Sequence, residues 1–450
     1  MTLEECISYA LTHNLNIELA ALDIEQAGED LHLYKRQRSP MLTGNIGQGV
    51  NFGRSIDPFT NQFIEQRIFT NNMSLSGSLV LYEGRRRTNQ VKSGRISYKI
   101  REEEKKLAER TLVLEVMENY FSALLYRELI ETYRHQKEQN IKTTKINEAL
   151  LQSGYILAAR LKELYATEAA DELNISQAEN QLNSALLNLK RLLNLPQEEM
   201  PELADIPIDT ENLVLLAETK LIDEALTTQP DLKVSKLLKE KSALNLKMAR
   251  GMMLPSLSLN TVAFTGYSSA RRLFAYNTFY QQETIGYLSG DPSQTISANV
   301  QRREQVPLRY PFLRQLNDNF SQMISLNLTI PILQNGMNLY AVKSAKIEEK
   351  RARVNAELQA ANLKTMLEQL YAECRTSYKN LQNATEQYEA LKEALRVARE
   401  KHENGYVSSA DFYQANNNFR NVTFELVKSR YSLLFQLKTL EYYQSGKLGL

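Results

Sequence analysis

Tryptophan is absent from the 450 residues, cysteine occurs twice and histidine four times. Cys6 and Cys374 lie in different halves of the chain with no CxxC spacing, and His13, His32, His135 and His402 stand near neither a cysteine nor one another. Structural zinc and thiol chemistry need such groups at short spacing, so the pattern speaks against both. A single disulfide between the two cysteines stays open. Charge of one sign is missing too: 54 basic and 53 acidic residues leave a net charge of +1, which implies no general affinity for nucleic acid or acidic partners. No run approaches the ~20 apolar residues of a membrane-spanning helix. The opening MTLEECISYALTHN reads as amphipathic helix, without the regions of a signal peptide. The chain is therefore either cytosolic or a mature form whose signal was removed, and the strands have to decide. No phosphate-binding loop, triad spacing or metal cluster appears, so no cofactor and no enzyme is expected. With only 17 Gly and 24% charged residues, the composition suits long polar helices that each bury a single stripe.

What the chain does have is an internal repeat. ALTHNLNI from Ala10 resembles ALTTQPDL from Ala225, an offset of 215, and Pro40 of SPMLTGNI falls 215 positions before Pro255 of LPSLSLN. Further on the offset becomes 251 and holds. SLSGSLVL from Ser74 matches SLNLTIPI from Ser325, and GYILAA from Gly154 matches GYVSSA from Gly405. Two constant offsets mean one insertion of 36 residues between the strands of the second half, where a loop absorbs it and a packed helix would not.

Each unit reads as helix, strand, strand, very long helix, turn, long helix. The first repeat spans 1–195, with strands at 42–52 and 72–82 and a helical hairpin whose tip lies near 154. A proline-rich linker, 196–217, leads to the second repeat, 218–450, with strands at 256–267 and 321–332 and a tip near 405. Leu107, Leu114, Met117, Phe121, Leu124 and Leu125 form a helical stripe within Ile100 to Gln152. No proline between Pro58 and Pro196 breaks it, and at ~1.5 Å per residue that helix spans about 80 Å. The second half repeats it from about Gly336 to His402. Such helices exceed one globular core and pack side by side in a bundle, coiled coil or tube.

In the last strand Ile324, Leu326, Leu328, Ile330 and Ile332 point one way, and Met323, Ser325, Asn327, Thr329 and Pro331 the other. The second strand sets Leu75, Gly77, Leu79 and Leu81 against Ser74, Ser76, Ser78 and Val80. Each strand is about ten residues, the length of a tilted membrane strand. Alternation by itself fits a soluble sheet with one face on a core. That sheet would need a covering helix, however, and the flanking helices run far beyond it; its polar face is small and uncharged, as in a lumen. Lipid requires every strand edge to be paired, and four strands cannot close when the smallest barrels use eight. The chain must then oligomerise, two copies giving eight strands and three giving twelve.

TLEECISYALTHNLNI, SLVLYEGRRR, ENYFSALLYRELIE, LLNLP, ALTTQPDL and SLNLTIPILQNG, in this order from Thr2 to Tyr443, resemble TolC-like outer-membrane factors, the outer membrane efflux protein family. NFGRSIDPFTNQF between the first two strands resembles Bacteroides-type relatives. The resemblance implies an α+β membrane protein with internal duplication. Its long helices would form a periplasmic α-barrel, and four β-strands per subunit would contribute to a twelve-stranded β-barrel in the outer-membrane lipid. It implies a homotrimer that works with a periplasmic adaptor (a membrane fusion protein) and an inner-membrane pump. The expected localisation is the outer membrane, extending through the periplasm, with the signal removed. The segments Gly53 to Asn71 and about Gly266 to Asn319 would be long extracellular loops. The second carries Arg271, Arg272, Phe274, Tyr276, Phe279, Tyr280, Arg302 and Arg303, and reads as a lid or receptor surface, or as a solvated loop with aromatic residues at its roots.

Gly154 and Gly405 stand where a helix must reverse, supplying a left-handed cap. The family places adaptor docking at these tips, which makes Tyr155 and Tyr406 either exposed anchors or packing residues between hairpins. It also places acidic residues just past the second turn, lining the constriction. Asp411 matches that periplasmic gate position, while the second acidic position holds Gln414. Three Asp411 carboxylates about an axis would bind cations and hold a closed gate; Ser408 and Asp411 also fit a capping box. Arg160 stands at the equivalent of Asp411 in the first repeat. The function expected is the outer-membrane channel of a tripartite efflux or secretion system, passively exporting small molecules. The alternatives are a type I protein-secretion duct of the same fold and, in a different class, a soluble coiled-coil tether.

Overall fold

The computed structural model describes residues 1–56, 61, 63–64, 67–154, 157–196, 198, 200–206, 228–289, 291–404 and 406–445. Most of the expected linker 196–217 lies outside them, as do Tyr155 and Gly405. The chain forms two units: Met1–His32, Lys92–Leu246 and Lys343–Leu450, which are helical, and Leu33–Val91 and Lys247–Val342, which carry the strands.

The elements of the first half are α1 (Leu3–His13), α2 (Leu15–Arg36), β1 (Met41–Asn51), β2 (Ser55–Ile56), β3 (Phe63–Ile64), β4 (Ile68–Glu83), α3 (Arg86–Gln152) and α4 (Ala158–Leu193). Those of the second are α5 (Pro230–Gly251), β5 (Ser256–Ser268), β6 (Arg272–Leu288), β7 (Asp291–Arg309), α6 (Phe312–Asp318), β8 (Ser321–Thr329), α7 (Met337–Glu403) and α8 (Ser409–Ser445). The duplication is visible in the boundaries. α5 begins and ends 215 positions after α2, and α7 begins and ends 251 after α3, both of these being 67 residues long.

In the strand unit, four antiparallel strands lie in the order β1-β4-β5-β8. The central pair comes from different repeats, and β1 and β8 are left as edges. Register puts Ile324, Thr261, Gly77 and Leu42 in one row across the sheet, and Leu326, Leu259 and Leu79 in another. The opposite face is made of rows such as Asn45, Ser74 and Phe264, or Ser78, Asn260 and Ser325. One face is thus aliphatic and the other mainly Ser, Thr and Asn. Before α3 the chain takes two left-handed residues, Gly84 (φ +55) and Arg85 (φ +60), and before α7 two more, Asn335 (φ +46) and Gly336 (φ +77). Gly84 lies against Gly251 at the end of α5: a Cβ on Gly251 would stand 2.6 Å from the Gly84 carbonyl oxygen, and one on Gly84 would collide with Gly251.

The strand boundaries differ from the sequence reading. The strand expected at 72–82 begins at Ile68, and the one expected at 321–332 ends at Thr329, leaving Ile330 and Ile332 beyond it. Pro331 has no N–H to give a ladder. The segment read as an enlarged loop, 266–319, is instead the end of β5, a long β6–β7 hairpin and the short helix α6. Its mixed polar and aromatic composition, with Pro292 and Pro307 inside β7, hides the ladder from a periodicity argument. α6 is fastened to the sheet by Gln315, which is buried: its side chain accepts from the Ser268 N–H (3.0 Å) and donates to the Ser268 carbonyl (3.0 Å).

In the helical unit, the largest core gathers Leu3, Cys6 and Ala10 of α1, Leu112, Val113, Val116, Met117, Tyr120, Phe121 and Leu124 of α3, Leu189, Leu192 and Leu193 of α4, and Phe424 and Val427 of α8. The stripe on α3 is wider than the six residues read from sequence, because α1, α4 and α8 all pack on it. The Tyr120 hydroxyl donates to the Ala204 carbonyl (2.7 Å), so its buried ring keeps a polar partner. Cys6 and Cys374 are free thiols buried in separate clusters, which settles the open disulfide. Burial pushes both thiols up to about 11, away from reactive thiolate.

Candidate functional site

The two helical turns differ in what the residues beside them do. At the first, Gly154 is left-handed (φ +77) and its N–H donates to Leu151 (3.0 Å), closing α3. Leu157, just before α4, is 80% exposed. At the second, the Tyr406 N–H donates to the Lys401 carbonyl (2.8 Å) while its side chain is 83% exposed. The His402 ring stacks on Phe412 (5.1 Å, 7° between planes).

Ser408 caps α8. Its hydroxyl accepts from the Asp411 N–H (3.2 Å) and donates to the Asp411 carboxylate (2.6 Å). Asp411 is exposed, at the third helical position, and the capping geometry is the local reason for an acid there. Gln414 is almost one turn further on and donates to Asn418 (2.9 Å).

Behind this turn the structure brings Arg160 together with residues the sequence argument passed over. The Tyr413 hydroxyl on α8 accepts from the Asn147 amide of α3 (2.9 Å), and the Arg160 guanidinium of α4 lies 3.8 Å from the Tyr413 ring centre. Arg160, the counterpart of Asp411, is thus turned inward on an aromatic ring and pairs with Glu163. Two turns further along α8, Arg420 donates to the fully buried Asp171 of α4 (2.9 Å), which also accepts from Asn140 of α3. Burial raises the Asp171 pKa above the carboxylate value of 3.8, while Asn140 and Arg420 oppose the rise. These polar bridges tie α8 to the α3–α4 hairpin. Their signal in the sequence is Asn140, Thr144 and Asn147, polar groups at core spacing on α3.

On the strand unit, Ile324 is 75% exposed, Leu326 61% and Leu328 62%, and Leu42, Ile46, Leu75 and Ile330 are also exposed. An uncovered aliphatic face of this extent in one chain marks a surface that meets lipid or protein. Among the described residues no helix is long and apolar enough to cross a membrane, and no three His, Cys, Asp or Glu side chains gather as for a metal.

A family model described as outer membrane efflux protein matches residues 6–195 and 221–443. Solved structures with the same fold include CusC, a transmembrane channel (18% identity over 99% of this chain and 92% of that one, TM-score 0.78). The Campylobacter jejuni CmeC outer membrane channel matches at 19% identity over 99% and 85% (TM-score 0.72). The open state of the Neisseria gonorrhoeae MtrE outer membrane channel matches at 16% over 98% and 88% (TM-score 0.72). No curated protein sequence matches the chain.

Proposed function

We propose, since the chain belongs to the outer membrane efflux protein family, that three copies close one twelve-stranded barrel and one helical tunnel through which small molecules leave passively. The protein is an outer-membrane channel subunit of a tripartite efflux system, and its family and fold are those of channels rather than enzymes. Channels of this family act as trimers with a periplasmic adaptor and an inner-membrane pump. The observation that carries the reading is the four-stranded sheet: two free edges, one aliphatic face and one small polar face. In hydrocarbon a free edge costs several kcal/mol for each unpaired group, so β8 of one copy pairs with β1 of the next until the ring closes. Ile324, Leu326 and Leu328 then face lipid, with Ile330 at the rim, and the Ser and Asn rows face water. A soluble tether would leave that aliphatic face in solvent, which counts against it.

The tips at Gly154 with Tyr155 and Gly405 with Tyr406 are the docking points for the adaptor. Asp411 from each copy approaches the axis at the gate, where like carboxylates repel one another and draw in cations; Gln414 adds no charge. Swinging α8 away from the α3–α4 hairpin would break the bridges of Tyr413 to Asn147 and Arg420 to Asp171. Purified protein in a planar lipid bilayer is expected to give discrete conductance, with Asp411→Ala larger in conductance or less sensitive to divalent cations. No conductance, together with monomeric behaviour in aqueous buffer, would rule the reading out.

A further inference from the structure

The β6–β7 hairpin sorts its side chains by kind rather than by polarity. One face is built from alternate rows, beginning with Arg272 beside Arg309, Phe274 beside Pro307 and Tyr276 beside Gln305, and ending with Tyr287 beside Thr295. The rows between them make the other face. Leu273, Ile296, Val300, Val306 and Leu308 all lie on that second face, where Ala275, Glu283 and Ala298 are half-buried and Arg302 donates to Glu283 (2.8 Å).

The first face holds no Leu, Ile, Val, Ala or Met, and every residue in its rows is exposed. Phe274, Tyr276, Tyr280 and Tyr287, each more than half exposed, stand along its β6 side. Gln305, Arg303, Gln301 and Asn299 stand along its β7 side, and the Gln305 amide donates to the Tyr276 hydroxyl (3.1 Å). The charged residues in these rows are Arg272, Arg303 and Arg309, without an acid among them; Glu283 and Glu304 belong to the other face.

Aromatic rings beside amides and guanidinium groups suit a sugar chain. A sugar ring offers C–H bonds on its flat face and hydroxyls at its rim. The C–H face stacks on an exposed aromatic ring, and the hydroxyls exchange hydrogen bonds with Gln and Asn, which both donate and accept. Arginine holds a carboxylate by two parallel bonds. Arg272 and Arg309 at the root lie about 20 Å along the ribbon from Arg303, with Phe274 and Tyr276 between. Charge so sparse matches a polymer with a carboxylate on some of its sugars better than a densely sulfated one. Two other occupants fit less well. A protein partner buries an apolar centre, and the aliphatic groups are on the opposite face. A membrane-interface belt confines its aromatics to one level, whereas Tyr287 stands about 50 Å along the ribbon from Arg272.

We propose that this face of the hairpin is a docking surface for an acidic polysaccharide, a chain in which carboxylated sugars alternate with neutral ones. Neutral rings stack on Tyr276 and Tyr280, and carboxylates reach Arg303 and the Arg272–Arg309 row. The hairpin leaves β5 at the end opposite α5, which the channel reading puts outside the cell. The inference rests on that reading for where the polysaccharide is met, while the binding face itself does not depend on it.

The test passes the full chain, purified in detergent, over immobilised hyaluronan, in which every second sugar carries a carboxylate. Heparin and dextran serve as the densely sulfated and the neutral comparison. The parent is expected to be retained on hyaluronan, and at least tenfold less on dextran. Tyr276→Ser with Tyr280→Ser, and separately Arg303→Gln, are each expected to lower retention at least tenfold with the assembly unchanged by mass. Asn277→Ala with Gln281→Ala, on the aliphatic face, is expected to leave it within twofold. Strongest retention on heparin, indifferent to the two tyrosines, would reduce the face to bare charge and overturn the proposal. An assembled parent that ignores hyaluronan overturns it too, as does one held by immobilised phosphatidylglycerol and not by hyaluronan. Bilayer conductance reads the channel separately: a conducting protein that fails to bind overturns only this surface, and one that binds without conducting overturns the channel and keeps the surface.

Discussion

Asp171 is fully buried, and its carboxylate is held by Arg420 at 2.9 Å and by Asn140. Removing it strands a guanidinium that is itself mostly buried, so Asp171→Ala is expected to cost about 3 kcal/mol, read from denaturant unfolding of the helical circular-dichroism signal. The sign of its pH effect follows from burial. The folded pKa lies above the unfolded value of 3.8, so between the two the folded chain holds the proton more readily than the unfolded one. The contribution is complete below the unfolded value and is lost as pH rises through the folded one. A pH series on the parent chain and Asp171→Asn should show that loss only in the parent. Gly84 answers to backbone geometry instead. With φ +55 and the Gly251 backbone against it, Gly84→Ala combines left-handed strain of about 1–2 kcal/mol with a collision. The next residue, Arg85, is left-handed without being glycine, so Arg85→Gly should recover about 1 kcal/mol. The same unfolding experiment compares the two.

Among the elements, the β6–β7 hairpin falls outside the duplication, since the offset changes across it. A two-stranded ribbon is marginal by itself, and this one is rooted where Arg272 pairs with Arg309, beside the Gln315 clamp on Ser268. Paired strand ends are ~5 Å apart, so excising 272–309 and joining Arg271 to Tyr310 through two or three glycines needs little rearrangement. The shortened chain is expected to assemble and conduct like the parent, by detergent mass and bilayer recording; an unfolded product would show that the hairpin supports the sheet. The hairpin was also the least legible element. Strands β4 and β8 announced themselves by alternation, β8 as Ile324, Leu326 and Leu328 against Ser325 and Asn327, because one face sheds water and the other keeps it. β6 and β7 alternate weakly, with polar and aromatic groups on both faces, and no periodicity survives. The bridges behind the tip were hidden for another reason. Asp171 and Arg420 are 249 positions apart, and only the packing of α4 against α8 reveals that they meet.

Taken as a whole, the chain was legible where its two halves agree and silent where they join. The two offsets read from four short matches are the offsets of entire helices, 215 from α2 to α5 and 251 from α3 to α7. That β4 of one half would lie beside β5 of the other was not in the pattern, because alternation fixes which face a strand shows and says nothing of its neighbour. This joint has a kinetic consequence. Met41 and Ser78 pair across 37 positions and Val262 and Met323 across 61, but Ser78 and Asn260 pair across 182. Closing a longer loop loses more chain entropy, and non-local strand pairing is intrinsically slow. The β1–β4 half can form early, then waits with the other edge of β4 unpaired until the second half arrives. During that wait the newborn chain is most exposed to mispairing and proteolysis, and any chaperone that escorts it has this strand to cover.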